Sequence, residues 1–326
     1  ELIKHRSRRI GDGYLRGEEK LFAAALSREA SRENAWDAVA RFASQGILDR
    51  TSPGKKLGRR AKELGATQQQ VDALVATLDE LHTTDAPSQA LVMKTQRLVI
   101  EPLQAVGITM EEFGQYTQMR RNIMQRGDIF NPGGFTPEES AKMMNSQRRR
   151  LDKVIRHPED GREMTQFDYL EELAVTWHRQ VVHPQVVDAV EAGVYNRETY
   201  KENIEPFIDD YATYLVVKYI ESDRVSPLLR EQVGTFQEIA NPVVSTMMKM
   251  VSLNRITQIN GAKLALVGWM NKYFSDEIEK VDIPHKHSKP EKLPGSGKEY
   301  LIVLDNGKNT AYEVDKYIAK MFMSSD

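Results

Sequence analysis

Apolar residues return every three or four positions along most of this chain and alternate strictly in one place only. The longest helical stretch runs from Pro242 to about Phe274. Val244, Met247, Met248 and Val251 form its first stripe, and Ile259, Ala262, Leu266, Trp269, Met270 and Tyr273 its second. Asn254, Arg255 and Asn260 lie between the stripes as a polar belt directed at water or a partner, and Met247, Met248 and Met250 read either as core or as an adaptable surface. Alternation appears in Tyr300–Leu304 and Thr310–Val314. The Asn306-Gly307 pair between them is a two-residue hairpin signature. A lone hairpin is marginal in water, so it is expected to dock on the helices or to pair with further chain.

The stretch from Thr109 to Ile155 organises the middle of the chain as two helices and a corner. Thr109 with Glu112 makes a capping box, and Phe113, Tyr116, Ile123 and Met124 share a face. Gly127 ends the helix, and Asn131-Pro132-Gly133-Gly134 forces the corner, with a positive φ expected at Gly133 or Gly134. Thr136 then caps a helix with Pro137 at its first position and Glu139 at its third, running to about Arg156. Shorter helices are expected at 18–30, 31–45, 67–82, 87–102, 165–177 and 184–192, with the last helix near the C-terminus capped by Asp315. The sum is a mainly α fold, an irregular multi-helix bundle with one C-terminal β-hairpin. Its expected parts are an N-terminal helical region (1–107), a central bundle (108–283), a Pro- and Lys-rich linker (284–298) and a hairpin with a short helix (299–326).

Composition narrows the chemistry. The 326 residues carry a net charge of −2, with 28% charged and 40% hydrophobic residues, as expected of a globular, helix-rich protein. The absence of cysteine removes disulfides, thiolate zinc sites and cysteine nucleophiles. No apolar run reaches the ~20 residues of a spanning helix. The chain opens at Glu1 without methionine and ends at Asp326, which sets the expectation of a piece of something longer.

Charge is uneven: residues 1–70 hold 15 Lys/Arg against 9 Asp/Glu, and residues 159–238 hold 7 against 17. The candidate nucleic-acid contacts are Lys55, Lys56, Arg59 and Arg60 together with Arg148, Arg149 and Arg150. No aromatics are interleaved for base stacking in the first cluster, so a solvated turn is its preferred reading, and Arg148 to Arg150 read as one exposed turn. His178 and His183 lack the spacing and third ligand of a metal site, and Asp209-Asp210 with Glu205 fits a helix N-terminus. Phosphate-loop, dinucleotide, HExxH and nucleophile-elbow motifs are absent, and no cofactor is expected.

Several short motifs carry a resemblance. Glu111-Glu112-Phe113 with Met119-Arg-Arg-Asn122 leads to Asn131-Pro132 and Thr136-Pro-Glu-Glu139. Further on come Gly193-Val-Tyr-Asn-Arg-Glu-Thr-Tyr200, Tyr211-Ala-Thr-Tyr-Leu-Val-Val217 and Gln232–Pro242. Val303-Leu-Asp-Asn-Gly-Lys308 and Tyr312-Glu-Val-Asp315 close the order. The run from Thr109 onward resembles helical, non-catalytic segments of very large polyvalent or internal virion (ejection) proteins of tailed bacteriophages and prophages. The resemblance implies a structural or interaction role inside the capsid, with delivery to the host cell alongside the genome, or residence in the bacterial cytoplasm for a prophage product. Implied partners are other virion proteins, other parts of the same long chain, or further copies of it. Two other classes remain: a helical nucleic-acid-binding module built on the basic clusters, with weak DNA contact, and an enzyme of unfamiliar type using Asp209, Asp210 and His178 or His183.

Overall fold

A computed structural model describes residues 53–82, 85–124, 131, 134–206, 241–283 and 294–320. The expectations placed on residues 1–52, Gly127, Gly133, Asp209, Asp210, the Tyr211–Val217 motif and the linker from 284 to 293 lie outside them. The fold is mainly α, with 69% of the described residues helical and small antiparallel sheets beside them.

Helices α1 (Pro53–Glu63) and α2 (Gln68–His82) come first, followed by α3 (Asp85–Thr95) and α4 (Glu101–Ala105). Next are α5 (Met110–Met124), α6 (Pro137–Arg150), α7 (Gln166–Trp177), α8 (His183–Glu191) and α9 (Arg197–Asn203). The long α10 (Pro242–Tyr273) and the short α11 (Lys316–Lys320) complete the helices. Strands β1 (Val154–Arg156) and β2 (Glu163–Thr165) pair as a small hairpin, while β3 (Glu279–Val281), β4 (Lys298–Asp305) and β5 (Lys308–Asp315) form a sheet ordered β3-β5-β4.

Two hydrophobic cores share α10 as a common wall. At 32 residues, α10 is ~48 Å long, enough to span both. Its first half joins α3 to α8, where Phe113, Tyr116, Phe167 and Trp177 are fully buried. Phe113 meets Trp177 edge-on at 5.6 Å and Tyr116 meets Phe167 at 5.8 Å. Each such ring contributes about 1.5–3 kcal/mol by leaving water. Its second half, through Ala262, Leu266 and Met270, joins Ala61 and Leu74 of the first two helices to Leu301, Val303, Val314 and Ile318 near the C-terminus.

Four expectations need correction. The helix from Pro137 stops at Arg150, and Val154–Arg156 turns into a strand, so the His157–Gly161 loop is the tip of a second hairpin. The sheet at the C-terminus has a third strand, β3, recruited from a segment with no alternating pattern. The polar belt of α10 faces inward: Arg255 and Asn260 are buried, and Asn254 bonds Gln185 and Gln258. Met124, expected on the buried face of α5, is 53% exposed.

Two prolines expected to break helices are instead absorbed by π-helical turns. Gln96–Ile100 precedes Pro102, and His178–Val182 precedes Pro184, so α3–α4 and α7–α8 each run on without a loop. Proline has no N–H to give the carbonyl four residues back and its ring crowds that carbonyl, so the ladder widens locally. At the second turn the orphan is Gln180 O, and Lys94 Nζ donates to it at 2.7 Å.

Candidate interaction surface

Helices α5 and α6 are built from caps at both starts. Thr109 N donates to Glu112 Oε2 at 2.8 Å and Glu112 N donates back to Thr109 Oγ1 at 3.2 Å. The same reciprocal box joins Thr136 and Glu139, at 2.8 and 3.1 Å, and its hydrogen bonds to the Glu139 carboxylate lower that group's pKa. Gly134 takes φ +73°, completing the reversal as the corner sequence demands. Asn131 Nδ2 donates to Phe135 O at 3.0 Å and holds the corner closed.

Polar cross-bonds zip the two helices together while leaving a groove along one side. Asn122 Nδ2 donates to Ser140 Oγ at 3.2 Å, and Gln147 Nε2 to Glu112 O at 2.7 Å. The groove, about 410 Å³, is lined by Gln115, Gln118, Met119, Phe135, Met143 and Arg150 among others. Phe135 and Met143 are two of the large apolar side chains left exposed, at 37% and 41%. Arg150 donates to Gln115 Oε1 at 3.4 Å at one end of it.

The basic residues singled out in the sequence fall into two separate places. Lys55, Lys56, Arg59 and Arg60 lie on α1, over the second core, while Arg148 to Arg150 lie at the end of α6, over the first. Arg60 is engaged: its guanidinium reaches Glu63 and Asp315, each at 2.5 Å, and lies 5.7 Å from the Tyr317 ring centre. Asp315 feels opposing influences: burial raises its pKa, but the Arg60 hydrogen bond and charge bring the carboxyl to a net value below its ordinary one. Arg148 sits 4.5 Å above the Phe167 ring and 3.6 Å from Glu171. Glu171 in turn accepts from Tyr116 Oη, which accepts from Arg120 at 3.0 Å. Burial of that phenol pushes its pKa up to about 12. Arg149 and Arg150 remain exposed at the helix end.

The histidines do not converge. His178 is buried with Nδ1 2.8 Å from Ala174 O, and His183 Nε2 lies 2.9 Å from Tyr200 Oη. Among the described residues no three His, Asp or Glu side chains are arranged so that they could hold a metal ion. His157 stands 3.1 Å from Asp160 and 3.4 Å from Glu172, with Arg162 bonded to Glu172. That cluster fastens the β1–β2 tip to α7, and it escaped the sequence reading because its partners come from two elements. Met247, Met248 and Met250 fill the first core; the Met247 sulfur takes contacts from Thr95 Oγ1 and Trp177 Nε1, both at 3.4 Å.

The short motifs scattered from Glu111 to Asp315 meet at junctions of the fold. A methyl at Gly114 would lie 2.5 Å from Asn241 Nδ2, which donates to Met110 O at 2.8 Å while Asn241 Oδ1 caps α10 at Val243 N. The Asn306-Gly307 turn packs on the α8–α9 connection: Gly307 N donates to Gly193 O at 2.9 Å, and Arg197 N donates to Asn306 Oδ1 at 3.0 Å. Asn260 was missed as a structural residue. Its Nδ2 donates to Ala192 O (2.7 Å) and Leu304 O (2.8 Å), and its Oδ1 accepts from Leu304 N (2.8 Å). Beside it Lys263 Nζ reaches Ile302 O at 3.3 Å, so α10 side chains cover the outer edge of β4. Compared with family models, curated proteins and solved structures, the chain matches none.

Proposed function

We propose that this chain is a non-catalytic interaction segment of a large phage- or prophage-encoded protein, carried in the virion and delivered with the genome, and that the α5–α6 groove receives a partner segment. The observation that carries the binding role is the groove itself. It pairs an exposed aromatic and an exposed methionine with Arg150 at one end, a combination of an adaptable apolar floor and a fixed charge suited to a peptide helix with apolar anchors and a carboxylate. The placement in a virion rests on the motif resemblance from Thr109 onward. A nucleic-acid-binding module is the alternative. It has less to draw on, because Arg60 and Arg148 already face carboxylates of the same chain.

The test has two parts, both in the strain that makes the protein. Nuclease-treated particles banded by density are digested and searched for peptides of this chain; their presence with the capsid proteins is expected, and their confinement to the soluble lysate overturns the virion reading. A photoreactive phenylalanine analogue at Met143 is then compared with one at Val154, which is 61% exposed but outside the groove. A crosslinked partner at Met143 alone is expected, and equal crosslinking at both positions overturns the groove as the binding site.

A further inference from the structure

The hairpin tip carries chemistry that the interaction role leaves unused. Asn306 and Gly307 both hold positive φ, +48° and +73°, as a two-residue hairpin turn requires. An asparagine followed by glycine is the sequence most prone to self-reaction: the glycine backbone nitrogen attacks the asparagine Cγ, the C–N bond to the side-chain amide breaks, and ammonia leaves. The five-membered imide then takes up water and opens to aspartate or, through the other carbonyl, to isoaspartate. No reagent beyond water is consumed.

Both partners in that attack are held in the docked tip. The attacking nitrogen, Gly307 N, donates its proton to Gly193 O at 2.9 Å. The side chain under attack is anchored by Arg197 N, which donates to Asn306 Oδ1 at 3.0 Å. Gly307 lies against the Tyr195–Asn196 backbone so closely that a Cβ there would come 2.6 Å from Asn196 N. Asn306 itself is exposed to water, so restricted geometry, rather than exclusion of solvent, holds the reaction back.

We propose that Asn306-Gly307 is a fold-gated, one-way modification site. While the tip sits on the Gly193–Arg197 connection, Asn306 is preserved. Once the tip lifts, it converts to aspartate and isoaspartate. The isoaspartyl form inserts a methylene into the main chain, so the two-residue turn and its fit against Asn196 cannot re-form. A reversible undocking thereby becomes permanent.

The full chain is incubated at mildly alkaline pH beside the same chain in denaturing urea, and the fraction of residue 306 converted is followed by peptide mapping that separates aspartyl from isoaspartyl products. Conversion in the folded chain is expected to be at least roughly tenfold slower than in urea, as for any reaction that must wait for local opening. Rates within twofold of each other would overturn the proposal. Gly193→Ala, whose Cβ falls 2.9 Å from Leu304 O, is expected to lift the tip and raise conversion well above the parent while the helical circular dichroism is kept. Unchanged conversion in that variant also overturns it. Should Gly193→Ala fail to fold, Asn196→Ala takes its place, with the same outcomes, since Asn196 caps α9 through Thr199 N at 2.8 Å and lies directly under the turn.

Discussion

Replacing Asn260 by alanine removes a side chain that ties α10 to both the α8–α9 connection and β4. Three hydrogen bonds go, to Ala192 O, Leu304 O and Leu304 N, all between 2.7 and 2.8 Å. At about 1 kcal/mol net apiece, their loss costs about 3 kcal/mol, and each partner left buried without water raises that toward the upper end of its range. Relief comes only where water can enter. Leu304 is half-buried, so its N–H and C=O regain some solvation, which sets the expectation at ~2–4 kcal/mol. Asn260→Asp is the sharper test. Two carbonyls need a donor and one N–H needs an acceptor, so only an amide satisfies all three. Aspartate keeps the bond from Leu304 N but points an oxygen at two carbonyl oxygens and buries a charge, so it is expected to cost more than alanine. Urea unfolding of the parent and both variants, followed by helical circular dichroism, measures this. If Asn260→Asp proves as stable as the parent, or alanine costs under about 0.5 kcal/mol, the Asn260 junction contributes nothing and the hairpin is held by its apolar face and its other hydrogen bonds.

The corner before α6 gives a graded set: Gly134→Ala, at φ +73°, is expected to cost about 1 kcal/mol or more, and Thr136→Ala about 1 kcal/mol through the lost cap, while Arg149→Ala stays within about 0.5 kcal/mol. Thermal unfolding ranks the three, and Arg149→Ala as the worst would show that face to be covered. Burial brings the Lys263 pKa down to about 8, so between there and the ordinary lysine value the unfolded chain binds the extra proton, and stability should rise with pH across that window. Lys263→Met should flatten that slope in urea unfolding measured from pH ~7 to ~10, below the range where buried Tyr116 acts with the opposite sign. For the basic clusters, DNA binding followed by fluorescence anisotropy should be weak or absent at physiological salt, and any binding should fall steeply as salt rises. Tight binding there, lost on charge reversal of Arg148 to Arg150, would move the function toward the nucleic-acid reading.

What could be read from the sequence was local. The boxes at Thr109 and Thr136, the turn at Asn306-Gly307 and the span of α10 each follow from residues within a few positions of one another, and each stands in the structure. What could not be read depends on partners far along the chain. Pro184 looked like a helix break because the rule sees the missing N–H and not Lys94, which satisfies Gln180 O across 86 positions. Strand β3 lacks a pattern of its own and is strand because β5 offers it an edge. The groove was invisible for the same reason. Met143 and Arg150 read as an ordinary helix surface until Gln115, Gln118 and Phe135 were placed opposite them.

The same distinction bears on the motifs that suggested a phage protein. Gly114 and Asn241 are 127 positions apart, and a side chain on that glycine would collide with the asparagine; Gly193 and Gly307 are 114 apart and joined by a backbone hydrogen bond, and a Cβ on either would collide with the chain beside its partner, at Leu304 O or Asn196 N. Such pairs are what a fold requires of its sequence, whatever the fold is used for. Their recurrence in other chains would therefore argue for a shared architecture before it argued for a shared task. The task has to be read from residues the fold does not need. Phe135, Met143 and Arg149 qualify, because each is exposed and each could be polar or small without opening a core. A simultaneous Phe135→Ser and Met143→Ser variant should thus unfold within about 1 kcal/mol of the parent while losing the crosslinked partner. A variant that instead unfolds much more readily would return those two side chains to the architecture and leave the groove without a function.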